Sequence, residues 1–118
     1  MKQYHFESLE VWKRGMELVK KVYKLTQKFP EEEIYGLTGQ MRRAAVSIPA
    51  NIAEGKGRGH DKEYSQFLHV TRGSVFEEIT LIKVAYEPVY LKEVETEELL
   101  NLCNEVSAML RGLIDSLK

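Results

Sequence analysis

The sequence predicts an all-α protein: an antiparallel up-down four-helix bundle with a proline-kinked second helix, assembling as a homo-oligomer. Three observations predict it. Apolar residues recur every three or four positions through four long segments, and no stretch alternates as a half-buried strand does. The segments are separated by Phe29-Pro30, by Gly55-Lys56-Gly57-Arg58-Gly59 and by Pro88, residues that end helices. The apolar arcs of the first and fourth segments are wider than one buried face requires, which points to contact between copies.

The first helix is predicted from about Ser8 to Lys28 and stops ahead of Phe29-Pro30 because the residue before a proline leaves the helical region. It carries two apolar stripes. One is Leu9, Trp12, Met16, Val19 and Tyr23; the other is Val11, Gly15, Leu18, Val22, Leu25 and Phe29. Together they cover about half the circumference, against roughly 100° for a helix with one buried face. Val11, Leu18 and Val22 are the candidate oligomer-interface residues; the alternative is simply a wide core face.

The second helix is predicted from about Tyr35 to Gly57, with Pro49 inside it. An interior proline removes one backbone donor, crowds the carbonyl four residues back, and costs on the order of 3 kcal/mol. Ala44, Ala45, Ala50, Ala53 and Gly55 are small enough for a neighbouring backbone to approach. Beside the apolar line of Leu37, Met41, Ala45, Ile48 and Ile52 runs a polar stripe of Gln40, Arg43, Ser47, Asn51, Glu54 and Arg58. Two readings stand: a solvated face, or a buried or interfacial polar network in which each charge needs a partner.

The third helix starts after Gly59 with Asp61 as its expected N-cap and ends before Pro88. Tyr64, Thr71, Val75, Ile82 and Ala85 mark its core side, and Glu78 falls within that arc, while Glu77 falls on another. The fourth helix is predicted from Thr96, as N-cap, to Leu117, with Glu97 and Glu98 in the first turn where the helix dipole favours acids.

A chain of 118 residues makes one domain, here residues 1–118. No apolar run reaches the roughly 18 to 20 residues of a membrane span, and the N-terminus lacks a signal-peptide apolar region, so a cytoplasmic protein is expected. Cys103 is the sole cysteine and sits among Leu99, Leu102 and Val106, as a core thiol does. Net charge is −1, which argues against strong general affinity for nucleic acid. The charge is uneven: residues 1–62 carry 12 Lys/Arg against 8 Asp/Glu, and residues 63–118 carry 5 against 10. That asymmetry either makes a basic patch or complements itself between helices or subunits.

Catalytic chemistry finds little support. A dimetal bundle needs Glu-x-x-His pairs; the nearest string, Gln66-Phe67-Leu68-His69, has Gln in place of Glu, and neither His5 nor His60 has a Glu three residues before it. His60 and His69 read as surface residues. The glycine-rich run follows a helix rather than a strand, so it reads as a helix stop and turn, with Lys56 and Arg58 as simple charges. No nucleophile–base grouping is present. The expectation is a non-enzymatic protein with no cofactor and no metal.

Several motifs carry a resemblance. Glu33-x-Tyr35-Gly36-Leu37-Thr38 and then Gln40-Met41-Arg42-Arg43-Ala44-Ala45-Val46-Ser47-Ile48-Pro49-Ala50-Asn51-Ile52-Ala53-Glu54-Gly55-x-Gly57-Arg58 resemble the signature of the bacterial 23S rRNA intervening sequence proteins, also called S23 ribosomal proteins. Phe6-x-x-Leu9-x-Val11-Trp12, Phe29-Pro30, Phe67-Leu68 and Gly73-Ser74 are similar to further parts of that family, and Glu77 matches a recurrent acidic position. The resemblance implies a four-helix bundle, a homo-oligomer that is pentameric in the better-known relatives, and no enzymatic activity. It also implies kinship with the accessory protein of diversity-generating retroelements, which binds nucleic acid and a reverse transcriptase. Three departures stand out: Glu78 where an apolar residue is usual, Glu87-Pro88-Val89-Tyr90 where relatives have a Leu-Gly-Tyr turn, and Gly39 for a serine.

Two functional readings follow. One is an oligomeric RNA- or DNA-associated protein, with Arg42, Arg43, Lys56 and Arg58 meeting phosphates, helped by Lys13, Lys20, Lys21 and Lys24. The other, favoured by the near-zero charge, is an oligomeric scaffold that holds a protein partner. The candidate polar network is Gln40, Ser47, Asn51, Glu54 and Glu77.

Overall fold

A computed structural model describes residues 1–118 as four helices without strands: α1 (Glu10–Thr26), α2 (Leu37–Gly57), α3 (Asp61–Tyr86) and α4 (Glu93–Ser116). Consecutive helices pack on one another and α4 closes back on α1, so the four form a ring around one core. Neighbours run antiparallel. Gly15 of α1 abuts Ile48 and Pro49 of α2, whereas Thr26 meets Arg42. Lys28, just past α1, pairs with Glu95 near the start of α4, and Arg14 pairs with Glu105 farther along it.

The core is the second α1 stripe, Val11, Leu18, Val22 and Leu25, against Met41, Ala45, Ile48 and Ile52 of α2, Leu68, Val75 and Ile82 of α3, and Leu99, Val106 and Leu110 of α4. This corrects one expectation. Val11 is 5 % exposed, and Leu18 and Val22 not at all, so these three fill the chain's own core and cannot meet another copy. The wide arc belongs partly to local cover. Trp12 is met edge-on by Phe6, 5.6 Å between centroids, from a 3-10 turn at His5–Ser8. What stays exposed is the other stripe, at Met16 and Tyr23.

α2 runs as one helix through the buried Pro49. Its start is set by Glu33 in the 3-10 turn Glu31–Glu33: Oε1 accepts the Leu37 amide at 3.1 Å, and Oε2 accepts the Tyr90 hydroxyl at 3.2 Å. Tyr90 also packs its ring on Phe29, 5.4 Å between centroids, which ties the α1–α2 and α3–α4 connections together. A Cβ on Gly39 would lie 2.8 Å from the Ile34 carbonyl, so serine does not fit here without a shift. The α2–α3 turn depends on Gly59, whose φ of +79° suits a residue without a Cβ.

Two helix starts differ from the sequence expectation. Asp61 is the first residue of α3 and His60 its N-cap. α4 begins at Glu93, a turn before Thr96, because Glu95 Oε1 reaches back to accept the Lys92 amide at 2.9 Å. That carboxylate is the N3 half of a capping box and outcompetes Thr96, whose hydroxyl donates to the Lys92 carbonyl and is buried. At the other end of the connection, α3 closes with a Schellman pair: the Tyr90 amide bonds to the Ala85 carbonyl at 3.1 Å and the Val89 amide to Tyr86 at 2.9 Å. Val89 therefore takes φ +61°, a conformation that suits a residue without a Cβ.

Candidate functional site

Part of the charge asymmetry of the sequence is offset within the molecule. Arg14 and Lys21 on one edge of α1, and Lys28 just past its end, spaced seven residues apart, pair with Glu105, Glu98 and Glu95 on α4. Lys28 and the Lys92 amide hold the Glu95 carboxyl below its ordinary range, the Lys28 hydrogen bond being the larger cause. Lys13 is likewise engaged, by Glu10 at 3.5 Å.

The four candidate phosphate contacts are not gathered. Arg43 and Lys56 are thirteen residues apart on α2, about 20 Å along the axis at 1.5 Å per residue. Arg42 turns toward α1, where its Nε donates to Thr26 Oγ1 at 2.9 Å and its guanidinium lies 4.7 Å from the Tyr23 ring centroid. Lys56 covers Tyr64 at 5.4 Å, and Arg58 covers Phe67 at 5.1 Å while pairing with Glu54 at 3.0 Å. Only Arg43 is exposed and unpaired.

The polar stripe is a line of residues without being a network. Ser47 donates to the Ala44 carbonyl at 2.6 Å and Asn51 to the Ser47 carbonyl at 2.8 Å, both within α2. Gln40, Arg43, Ala44 and Ser47 do share a hollow of about 210 Å³ with Ser74 and Glu77 of α3, but no hydrogen bond joins their side chains. Glu77 thus lies where the stripe faces α3, and Ser74 is a member the stripe itself does not reveal.

Glu78 is fully buried, and neither carboxylate oxygen has a partner. Burial first, and Glu77 second, push its pKa up to about 9, so the carboxyl is neutral at physiological pH. Burial, then Glu78, pushes the Cys103 thiol up to about 12, which leaves it protonated and a poor nucleophile. No group of three or more His, Cys, Asp or Glu is placed to hold a metal ion, and no helix is long and apolar enough to cross a membrane.

Exposed apolar side chains stand near helix ends and connections, at Tyr4, Ile34, Tyr35, Tyr86, Val89 and Val94, and form two groups along helix faces. On α1 and α2 they are Met16, Tyr23 and Val46, 36 to 42 % exposed. The contacts Gly15–Pro49 and Tyr23–Arg42 put Val46 at the level of half-buried Val19, so these residues form one strip. On α3, Val70 and Val84 are 58 % and 49 % exposed, two heptad steps apart with Glu77 between them, and Phe76 is 51 % exposed beside that row.

The model of the 23S rRNA-intervening sequence protein family matches residues 7–112. The chain belongs to that family. Among solved structures, the fold is similar to a protein of unknown function from the S23 ribosomal protein family of Bacteroides thetaiotaomicron VPI-5482. The TM-score is 0.82 at 19 % identity, covering 89 % of this chain and 95 % of that one. No curated protein matches the chain. Neither the family's description nor that relative, whose function is unknown, indicates a catalytic activity.

Proposed function

We propose that this member of the 23S rRNA-intervening sequence family is a non-enzymatic binding scaffold that acts as a homo-oligomeric ring, a pentamer by analogy with its family. The observation that carries the reading is the pair of separate apolar surfaces, the α1–α2 strip and the α3 row. A closed ring uses a heterologous contact, in which one patch of each subunit meets a different patch of the next; a two-fold dimer needs only one self-complementary patch. The pairing of Arg14, Lys21 and Lys28 with α4 supports a scaffold over a general nucleic-acid binder, because those three cations are already engaged.

Mass photometry and circular dichroism test this. Val46→Glu and Val70→Glu should each dissociate the ring while keeping helical content, since both residues are exposed. Mixing the two variants should then give a dimer, because each retains one intact patch. A monomeric wild-type protein, or variants that both remain fully assembled, would sink the reading.

A further inference from the structure

In the acidic half of the chain, basic side chains converge. His69 and Arg72 of α3, with Arg111 near the end of α4 and Lys118 beyond it, line a hollow of about 200 Å³ floored by Ile114 and flanked by Asp115. At ~30 Å³ per water, that is room for six or seven waters, enough for a phosphate group and its immediate attachment. The one acidic side chain lining it, Asp115, already pairs with Lys118 at 3.4 Å.

Arg72 is the informative member. Its Nε is buried and has no hydrogen-bond partner, and the guanidinium rests against Phe76, 5.6 Å from the ring centroid. A guanidinium cannot shed its charge, and its two Nη groups, uncovered and unbonded within the chain, are the donors that a ligand in the hollow can reach. Neither Arg72 nor Arg111 has an ion-pair partner within the chain. The carbonyls at the α4 C-terminus oppose an anion with about half a unit charge, against two full and permanent arginine charges. We propose that this α3–α4 hollow binds a phosphate group, taken bidentately by Arg72 and Arg111 with His69 at its edge. The site is distinct from Arg42, Arg43, Lys56 and Arg58, and it does not depend on the ring.

The test is a titration of the full-length protein, ¹⁵N-labelled, following the arginine Nε–Hε signals at constant ionic strength. Inorganic phosphate should move the Arg72 and Arg111 signals saturably, and sodium chloride should not. Arg111→Gln, an exposed change that leaves the core alone, should weaken phosphate by about tenfold, the loss of one charged hydrogen bond. Arg72→Lys keeps the charge and loses the fork, so it should weaken binding less than Arg72→Gln. A nucleoside 5′-monophosphate and a short single-stranded RNA separate the two sources of phosphate. Saturation by the mononucleotide marks a small phosphorylated ligand, and affinity that grows with oligonucleotide length marks a backbone. Shifts that chloride reproduces, or an affinity unchanged in Arg111→Gln, overturn the proposal.

Discussion

Arg42 Nε donates to Thr26 Oγ1 at 2.9 Å, and the guanidinium covers the exposed face of Tyr23. This arginine fastens α2 to α1, so its first role is structural. Arg42→Gln should cost about 1.5–3 kcal/mol, as expected for a hydrogen bond to a charged group, read as a lower urea midpoint with unchanged slope. A variant as stable as the wild type would return Arg42 to the pool of free surface cations.

Val89 holds a left-handed conformation that a β-branched side chain takes only under strain, roughly 1–2 kcal/mol for an L-residue. Glycine would take the same φ freely but lose more entropy on folding, roughly 0.5–1 kcal/mol. Val89→Gly should therefore raise stability by a net amount of up to about 1.5 kcal/mol, visible as a small rise in Tm. Since Val89 is 72 % exposed, no packing is lost to offset it.

Glu78 makes stability fall as pH rises. Below pH 4.5 both folded and unfolded chains hold the proton; from there to about 9 only the folded chain does. Unfolding in that window releases a proton, so each pH unit removes about 1.4 kcal/mol. Urea midpoints between pH 5 and 8 should show this slope in the wild type and lose it in Glu78→Gln. Glu78→Leu removes two unpartnered buried oxygens and should stabilise by about 1–4 kcal/mol at pH 7. A wild-type profile identical to that of Glu78→Gln would show that the carboxyl stays ionised.

How far the sequence reached can be judged from particular residues. Periodicity located all four helices, and the anomaly at Glu78 was visible because one carboxylate fell in an apolar arc. On α1, two stripes 100° apart look alike until the neighbours are placed, and the one the sequence marks for contact, Val11, Leu18 and Val22, is the inner one. Thr96 lost its capping role to Glu95, a competition between two good caps that spacing alone does not decide. Cross-chain pairings were illegible for a simpler reason. Arg72 and Arg111, or Thr26 and Arg42, become neighbours only when the helices register against each other.

The glycines give a matched pair for the close α2–α3 contact. Replacing a helical glycine by alanine ordinarily gains about 1 kcal/mol. At Gly73, nothing lies within 4 Å of the added carbon, so Gly73→Ala should show that gain. At Gly55 the same carbon would sit 2.5 Å from Phe67 Cβ and 3.2 Å from Tyr64 Cδ1. Phe67 Cβ is fixed to the α3 backbone, so α3 must move away from α2 to admit it. Overpacking of this kind costs about 1–3 kcal/mol and cancels or exceeds the propensity gain. Gly55→Ala should therefore melt at or below the wild type while Gly73→Ala melts above it. Ala45→Leu, at a fully buried position on the same helix, should lose a similar 1–3 kcal/mol. If Gly55→Ala gained as much as Gly73→Ala, the helices would be looser at this contact than their geometry states.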